Sequence, residues 1–555
     1  MVQSLRTFCC TFSMWGIQGE GNSIYKRMPS RDYTNTADLE DNSALVHNNM
    51  HAQVTNPSWS LSFPHVLVAT ISSFLFGYHL GVVNEPLEHI SFDLGFNGNT
   101  LAEGLVVSTC LAGAFIGSLF SGWIADGIGR RRAFQLCALP MVIGASVSAT
   151  TSTLAGMLVG RFIVGLGLGL GPPVAALYVT EISPAFVRGT YGSFIQIATC
   201  LGLMASLFIG IPVKEIAGWW RICFWVSAIP AGILAFAMMF CAESPHWLYK
   251  QGRSAEAEIE FEKLLGGMHV KYAMQELSKV DRGDDADNVT LSELLYGRHF
   301  RGRHSFYFLM WACILLVACL ILAAVAIGSS SSASYLFSSC TIFFRLCYSR
   351  VPFAVVFIGS TLFALQQLSG INAVFYFSST VFKSAGVPSD VANIFVGVVN
   401  LTGSLAAMVL MDRLGRKVLL LWSFFGMAVS MGIQVTGASS YMAGSGALFL
   451  SVGGMLMFVF TFALGAGPVP GLLLPEIFPS RIRAKAMAVC MSVHWVINFF
   501  VGLLFLRLLE QLGPRLLYTI FASFCMLAVV FVKRNVIETK GKSLQEIEIA
   551  LLPQE

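Results

Sequence analysis

The stretch Asp126–Arg131 reads DGIGRR, and a near copy, DRLGRK, occupies Asp412–Lys417. Each copy follows one apolar run and precedes another, so each forms a short basic connection between two hydrophobic segments. The copies lie 286 positions apart in a chain of 555 residues. This spacing indicates that the chain consists of two related halves.

Two further motif pairs support this division. Both recur at an offset of 295 positions: Glu181 with Arg188 as Glu476 with Arg483, and Glu243-Ser-Pro as Glu538-Thr-Lys. Chance could produce one such match but hardly three in the same order. The matches predict two parallel six-helix repeats, an arrangement that places a substrate site between the halves near the middle of the membrane.

The composition is that of a membrane protein. Hydrophobic residues make up 55% of the chain and charged residues 12%, with a net charge of +4. Many uncharged runs reach the roughly 18 residues that suggest a transmembrane helix. We therefore predict an all-α membrane protein with twelve transmembrane helices. Its predicted parts are an N-terminal six-helix half over 62–241, a connector with short helices over 242–300 and a C-terminal six-helix half over 354–535.

The basic residues predict the orientation in the membrane. Lys and Arg cluster in alternate connections, at 130–132, 413–417 and 481–485. The connections over 85–100 and 438–446 contain no Lys or Arg. By the positive-inside rule, both termini and the connector lie on the cytoplasmic side, or on the equivalent stromal side of an organelle membrane.

Three segments fall outside this scheme. Residues 1–61 form a polar tail whose composition fits either an organelle transit segment or a cytoplasmic tail. Residues 301–353 contain an uncharged apolar run, Phe306–Ile327, but one extra span would put the later basic connections on the wrong side. We expect a paired or re-entrant excursion, a non-spanning segment or the translation of an unremoved intron. Residues 536–555 form a C-terminal tail.

The stretch Gln366–Phe377 reads QQLSGINAVFYF and lies in an uncharged run over 351–382. It carries amides and a hydroxyl at membrane depth, and Gly370 among them allows the helix to bend. Such polar groups are costly in lipid and tend to face the bundle interior or a wet pathway. The stretch therefore predicts a site for a neutral, hydroxyl-rich solute, or else polar contacts that join packed helices.

The recurring acids and arginines lie at the predicted cytoplasmic ends of the spans. We expect them to form an ion network that holds that side of the bundle shut and breaks on opening. Simple anchoring by the positive-inside rule explains part of the arginine content, but not the fixed spacing of the acids. The predicted network comprises Asp126, Arg130, Arg131, Glu181, Arg188, Glu243, Asp412, Arg416, Glu476, Arg483 and Glu538.

With these motifs and several others, the chain resembles the sugar porter family of the major facilitator superfamily. The motifs are GWIADGIGRRR (122–132), GRFIVGLGLGL (160–170), TEISPAFVRG (180–189), ESPHWL (243–248), QQLSGINAVFYF (366–377), DRLGRK (412–417), PEIFPSRIR (475–483) and VIETKG (536–541). Within the family, FGYHLGVVNEPL (76–87) and GAGPVPGLLLPEIFPSRIRAKAM (465–487) look most like the plant plastidic glucose transporters. The resemblance implies a major facilitator fold and a chloroplast or plastid envelope location, with the plasma membrane or another endomembrane as the alternative.

The resemblance also implies a set of site residues. The implied substrate-binding residues are Gln196, Gln366, Gln367, Asn372, Asn400, Trp495 and Asn498. Amides can both donate and accept hydrogen bonds, as sugar hydroxyls require. The implied aromatic gate consists of Phe375, Tyr376 and Phe462. Two departures from the family pattern stand near these residues: Gly471 replaces a common Trp, and His494 replaces an Asn of some relatives.

Coupling depends on the first and fourth spans. Proton-coupled sugar porters carry an Asp in the first span near an Arg in the fourth, and here His79 stands at the Asp position while Arg161 is retained. A charged imidazole is disfavoured beside a fixed cation. We therefore predict passive transport, with coupling through a titrating His79 as the weaker alternative.

The leading hypothesis is a uniporter for a neutral monosaccharide, with glucose as the expected substrate and the lipid bilayer as its surroundings. The alternatives are a proton-coupled hexose or polyol symporter and a non-transporting sugar sensor. No nucleophile–base pair, metal-ligand cluster or phosphate loop occurs in the sequence, so we expect neither an enzyme nor a cofactor or metal. We also expect no nucleic-acid partner, and a monomer. The glycine run Gly165–Gly171 lies inside a span and predicts close helix packing.

Overall fold

A computed structural model describes residues 58–282 and 355–540, except for 185–186, 215, 385–388, 439–444 and 479–482. Within these residues every regular element is a helix. The atypical apolar segment 301–353, most of the polar tail and residues 541–555 lie outside the described residues. The predictions made for those three segments therefore stay predictions.

The N-terminal half contains six long helices and one short one. They are α1 (Trp59–Gly81), α2 (Leu87–Asp93), α3 (Thr100–Ile128), α4 (Arg130–Thr150), α5 (Leu154–Ile182), α6 (Arg188–Ile209) and α7 (Trp219–Ala237). Side-chain caps start two of the long helices. Asn99 accepts a hydrogen bond from the Ala102 N–H at the start of α3, and Thr153 accepts one from the Gly156 N–H at the start of α5.

Three short helices form the described part of the connector. They are α8 (Pro245–Lys250), α9 (Ser254–Leu265) and α10 (Gly267–Arg282). Ser244 caps α8 by accepting a hydrogen bond from the Trp247 N–H at 3.2 Å. Gly266, with a φ of 81°, ends α9. The helical character predicted for the connector is thus confirmed over these residues.

The C-terminal half repeats the six-span pattern with more interruptions. Its helices are α11 (Val355–Leu368), α12 (Ile371–Ser384), α13 (Ser389–Leu414), α14 (Arg416–Gly437), α15 (Ser445–Thr461), α16 (Pro468–Ile477) and α17 (Arg483–Asn535). A π-helical turn, Phe462–Ala466, joins α15 to α16. Turns of this kind are frequent at functional sites.

The described residues account for the twelve predicted spans. Ten helical stretches are long and apolar enough to cross a membrane. One of them, α17, makes two crossings because Gly513, at a φ of 72°, interrupts it. The pair α11 and α12 forms a further crossing, which is broken at Gly370. The count of spans predicted from the sequence is therefore confirmed.

Glycines allow the central helices to approach backbone to backbone. A Cβ added at Gly165 of α5 would overlap the carbonyl oxygen of Cys110 in α3, and one added at Gly113 of α3 would overlap that of Phe162 in α5. At Gly104, an added Cβ would lie 2.5 Å from the carbonyl oxygen of Leu503 in the other half. Close packing of small residues stabilises membrane helix pairs. The packing role predicted for the glycine run is thus confirmed.

We expect Gly165→Ala to destabilise the protein by about 1–3 kcal/mol, because the added methyl group forces α3 and α5 apart. The measurement is the unfolding temperature of the purified protein in detergent. Gly232→Ala in α7 is the matched control, since nothing lies within 4 Å of a Cβ at that position. Equal losses from the two variants would contradict the packing argument.

Candidate functional site

The stretch singled out in the sequence is a broken helix. α11 ends at Leu368 and α12 begins at Ile371, and Gly370 between them has a φ of 87°. This left-handed conformation favours glycine. A Cβ at this position would also lie 2.6 Å from the ring of Phe521. The bend expected at Gly370 is confirmed, and it places polar residues on both sides of the break.

Three amide side chains at the break are linked by hydrogen bonds. Gln366 Nε2 donates to the backbone carbonyl of Ala466, in the π-helical turn, at 2.5 Å. Gln367 Nε2 lies 3.4 Å from Gln366 Oε1, and Gln367 Oε1 accepts a hydrogen bond from Asn372 Nδ2. All three side chains are buried. We call these three residues and His494 the amide network.

Helix α17 closes the network from the other side. His494 Nδ1 lies 3.0 Å from Gln367 Nε2. One turn further along, Asn498 Oδ1 accepts a hydrogen bond from the Tyr376 hydroxyl at 3.2 Å. The ring of Trp495 lies 5.6 Å from that of Phe76, which belongs to the N-terminal half. The amide network therefore lies close to the contact between the halves.

Four buried polar atoms on α13 and α17 have no hydrogen-bond partner among the described residues. They are Asn400 Oδ1, His494 Nε2, Trp495 Nε1 and Asn498 Nδ2. Leaving a buried donor or acceptor unsatisfied costs about 1–3 kcal/mol. Such atoms mark a place where a polar ligand can supply the missing hydrogen bonds.

The expected aromatic gate residues are also close together. The ring centroids of Phe375 and Phe462 are 6.2 Å apart, with the rings at 73° to each other. Tyr376, next in the chain, is buried and reaches Asn498. The same short stretch of α12 thus contacts both the π-helical turn and α17.

Gln196 stands apart from the amide network. It lies on α6 and is half-buried, with its Nε2 3.6 Å from Cys200 Sγ. Cys200 Sγ is in turn 3.1 Å from Ser404 Oγ in the C-terminal half. Among the described residues no hydrogen bond joins Gln196 to the network. It belongs to a separate wall of the contact between the halves.

The expected coupling residues, His79 and Arg161, are in direct contact. Arg161 Nη2 donates to the backbone carbonyl of His79 at 3.4 Å, and Arg161 Nε donates to that of Val106 at 3.2 Å. Both residues are 2% exposed. Among the described residues no carboxylate pairs with Arg161, and neither ring nitrogen of His79 has a partner. The buried guanidinium is thus held by backbone carbonyls.

On the basic side of the bundle, Glu243 and Glu181 hold the start of α4. Glu243 Oε1 accepts hydrogen bonds from the backbone N–H groups of Arg130, at 3.0 Å, and of Arg131, at 3.3 Å. The Arg130 guanidinium donates to both oxygens of Glu181 at 2.9 Å and lies 3.2 Å from Asp126. A carboxylate at a helix N-terminus also interacts favourably with the helix dipole.

The second half reproduces this arrangement. Glu538 accepts hydrogen bonds from the backbone N–H groups of Arg416, at 2.9 Å, and of Lys417, at 3.0 Å. Arg416 Nη2 lies 3.1 Å from Glu476. The glycines that precede the two helices, Gly129 and Gly415, have φ values of 91° and 88°. The repeat predicted from the motifs is therefore present in three dimensions.

The pKa values of the two capping glutamates are shifted in opposite directions. Burial raises the pKa of Glu243 above its usual value, against the opposing effect of backbone N–H donors. Partial burial also acts to raise the pKa of Glu538, but four backbone N–H donors outweigh it, so that pKa lies below its usual value. On acidification, Glu243 therefore takes up a proton before Glu538 does.

Some ion pairs of these networks have both side chains among the described residues. Each of those pairs joins helices of the same half. Glu181, Glu243 and Arg130 all belong to the N-terminal half or its connector, and Arg416 and Glu476 belong to the C-terminal half. The side chains of Arg188, Asp412 and Arg483 lie outside the described residues. A gating role for the charged residues on this side stays a prediction.

The opposite side contains a polar cluster that the sequence analysis missed. We call it the outer cluster: Asn84, Glu85, Lys214, Ser378, Ser379 and Asn393. Glu85 Oε2 accepts hydrogen bonds from Ser379 Oγ at 2.5 Å and from Asn393 Nδ2 at 2.8 Å, and Glu85 Oε1 lies 2.8 Å from Lys214 Nζ. These contacts join the two halves. The signal available in the sequence was an acid, Glu85, directly after an uncharged span.

We expect Glu538→Gln to lower the unfolding temperature at pH 7 more than Glu243→Gln does. The lowered pKa of Glu538 contributes stability above the usual glutamate pKa, and this is lost as the pH falls through the lowered value. The pKa of Glu243 is shifted in the opposite direction. At pH values above that pKa, the folded state therefore disfavours the charged form of Glu243. The two variants are matched in chemistry, and a larger loss from Glu243→Gln would contradict this assignment.

Comparison with known proteins agrees with the sequence resemblance. The sequence model of the family described as "Sugar (and other) transporter" matches residues 65–323 and 343–551. The chain is 68% identical over 543 residues to the probable plastidic glucose transporter 2 of Arabidopsis thaliana, covering 97% of this chain and 99% of that protein. It is 41% identical over 489 residues to plastidic glucose transporter 4 of the same plant, covering 88% and 80% of the two chains.

The fold is shared with solved structures. The proton:xylose symporter XylE bound to 6-bromo-6-deoxy-D-glucose aligns with a TM-score of 0.70 at 26% identity, over 89% of this chain and 99% of that one. XylE from E. coli in an inward-open conformation aligns with a TM-score of 0.65 at 26% identity, over 88% and 99% of the two chains. Because the family model matches most of both halves, the chain belongs to the sugar transporter family of the major facilitator superfamily.

Proposed function

We propose that this membrane protein carries glucose passively across the plastid envelope, by alternating access between its two halves. The observation that carries the proposal is the buried, uncharged amide network close to the contact between the halves, together with the four polar atoms on α13 and α17 that have no partner among the described residues. A neutral solute that bears several hydroxyls can satisfy such atoms without bringing a charge into the membrane.

The proposed ligands of the sugar are the residues that the sequence analysis selected. They are Gln196, Gln366, Gln367, Asn372, Asn400, Trp495 and Asn498. Gln366 and Gln367 already bond to protein groups, so a bound sugar must share or replace those hydrogen bonds. Asn400 and Asn498 each keep one amide atom without a partner among the described residues. A sugar can bond to those atoms without replacing a hydrogen bond within the protein.

The proposed gate is the α12 segment that follows the break. Phe375 packs on Phe462, and Tyr376 hydrogen bonds to Asn498, so movement of this segment about Gly370 changes both contacts together. On the same side of the break as the C-terminal end of α12, the outer cluster ties Ser378 and Ser379 to the N-terminal half. Access from the outer side requires these contacts to separate.

The choice of glucose and of the plastid rests on relatives. The two Arabidopsis proteins described above are named plastidic glucose transporters, and one of them is 68% identical to this chain. We further propose that the chain works as a monomer, since both halves of the proposed site belong to one polypeptide. In this scheme the protein is a transporter and not an enzyme.

The proposed domain boundaries follow the sequence analysis. They separate a tail over 1–61, halves over 62–241 and 354–535, a connector over 242–300 and a C-terminal tail over 536–555. The segment 301–353 is proposed to be an insertion in the connector. The family model supports an insertion over 324–342, inside that segment, because its match is interrupted there.

Passive transport is supported by the surroundings of Arg161. A proton-coupled mechanism needs a group near the site that exchanges protons as the halves move. Arg161 bonds to two backbone carbonyls, and the group beside it is an imidazole instead of a carboxylate. Protonation of His79 would place a second positive charge next to a buried guanidinium, which is unfavourable.

We expect Gln366→Ala to lower glucose uptake into proteoliposomes about tenfold, since losing the hydrogen bond to the sugar leaves a buried sugar hydroxyl unsatisfied, which costs about 1–3 kcal/mol. Gln434→Ala is the matched control. Gln434 is also a fully buried amide in a membrane helix, but it contacts the Met431 sulfur instead of the network. If both variants, at equal amounts of folded protein, lost uptake equally, the proposed site would be wrong.

We expect proteoliposomes with an imposed pH gradient to fill with glucose to the outside concentration and no further, because no carboxylate pairs with Arg161 among the described residues. A protonophore should leave the final level unchanged. The measurement is the steady-state content of labelled glucose with and without the gradient. Accumulation above the outside concentration that collapses with the protonophore would overturn passive transport and establish the symporter alternative.

A further inference from the structure

His494 is buried between Gln367 and the aromatic rings of Phe363 and Trp495. It is 8% exposed, its ring lies 5.3 Å from that of Phe363 and 4.9 Å from that of Trp495, and its Nδ1 lies 3.0 Å from Gln367 Nε2. Its Nε2 has no partner among the described residues. The resemblance to the family assigns no role to His494. Its hydrogen bonds determine whether it can donate a hydrogen bond to a ligand or accept one.

The orientation of the network follows from one backbone group. The carbonyl of Ala466 can only accept, so the Gln366 atom that touches it is the amide nitrogen, and Gln366 Oε1 faces Gln367. An oxygen at that place requires a donor, so the facing atom of Gln367 is its nitrogen. The Gln367 oxygen then accepts from Asn372 Nδ2. A single carbonyl thus determines the direction of every hydrogen bond along the chain of amides.

The Gln367 nitrogen also determines the tautomer of His494. Because the Gln367 nitrogen donates, His494 Nδ1 must accept, and a neutral imidazole that accepts at Nδ1 carries its proton on Nε2. The unpartnered atom of His494 is therefore an N–H donor. In a tautomer with the proton on Nδ1, that N–H would face the N–H of Gln367 with no acceptor between them.

Two neighbours on α17 present donors as well. Trp495 Nε1 is a donor by its chemistry. Asn498 Oδ1 already accepts from the Tyr376 hydroxyl, so its unpartnered atom is the amide nitrogen. Three donors without a partner among the described residues therefore stand at positions 494, 495 and 498 of one helix, while the corresponding atom of Asn400 on α13 is an acceptor.

We infer that His494 is a specificity-determining residue, and that α17 forms a donor-only wall at which sugar hydroxyls are recognised as acceptors. This inference rests on the proposed sugar transport. It concerns whether the sugar hydroxyls donate or accept hydrogen bonds at α17. A hydroxyl that faces this wall is recognised through its oxygen. Replacing it by fluorine keeps an acceptor, whereas replacing it by hydrogen leaves a buried donor unsatisfied.

The test uses the full-length protein in proteoliposomes and measures inhibition of labelled glucose uptake by the matched deoxy and fluorodeoxy analogues of each glucose hydroxyl. At one or more ring positions, we expect the deoxy analogue to bind at least about tenfold more weakly than glucose. The fluoro analogue at the same position should bind less than about threefold more weakly than glucose. In His494→Leu, this difference should disappear at one such position and persist at the others. Phe363→Leu, which changes the packing of His494 but not its donor, should leave the pattern unchanged.

Two outcomes would overturn the inference while leaving sugar transport intact. One is equal rejection of the fluoro and deoxy analogues at every position, which would mean that the wall accepts hydrogen bonds. The other is an unchanged pattern in His494→Leu. Absence of glucose uptake in the unaltered protein would instead refute the proposed function.

A spectroscopic measurement keeps the inference testable if His494→Leu fails to fold. Nitrogen NMR of histidine-labelled protein, with the signal assigned by its loss in His494→Gln, distinguishes a protonated from an unprotonated ring nitrogen. We expect an unprotonated Nδ1 and a protonated Nε2 in the unaltered protein, and a mixture of tautomers in Gln367→Leu. Observation of the opposite tautomer in the unaltered protein would refute the inference.

Discussion

The site depends on the rule that a helix inside a membrane cannot be broken unless the freed polar groups find partners. At Gly370 the break is made by a residue that tolerates a φ of 87° and has no side chain to collide with Phe521. Gly370 N still reaches the Gln367 carbonyl, and the Ser369 hydroxyl bonds to the Gln366 carbonyl. The side chains that make the break tolerable stand beside those that form the amide network. The helix break and the proposed sugar site therefore share one stretch of chain.

The described polar contacts differ between the two ends of the molecule. On the basic side, Glu243 and Glu538 each fasten the start of a helix within their own half, as the described pairs show. On the opposite side, the outer cluster crosses from one half to the other. Among the described residues the outer cluster joins the halves at one end and the contact of Cys200 with Ser404 joins α6 to α13, whereas no described ion pair on the basic side crosses between the halves. This arrangement is suited to rocking about the middle of the membrane.

Much of this architecture could be predicted from the sequence, because the membrane imposes long apolar runs and the repeat imposes matching motifs. The twelve spans, the two halves, the bend at Gly370 and the close helix packing at Gly165 were all predicted. Distant contacts that a repeated motif marks, such as those of Glu243 with Arg130, were predicted, whereas distant contacts that no motif marks could not be. The bonds from Glu85 to Asn393 and from Gln367 to His494 join positions more than 100 residues apart.

The make-up of the outer cluster bears on how that end of the transporter responds to temperature. Its members are amides, hydroxyls, one carboxylate and one ammonium group, all of which water can solvate when the halves separate. Exposure of polar surface lowers the heat capacity, whereas exposure of apolar surface raises it. The cluster therefore offsets part of the heat-capacity increase from the apolar surface exposed beside it. The enthalpy of opening at this end consequently varies less with temperature than that of separating a purely apolar seal of the same area.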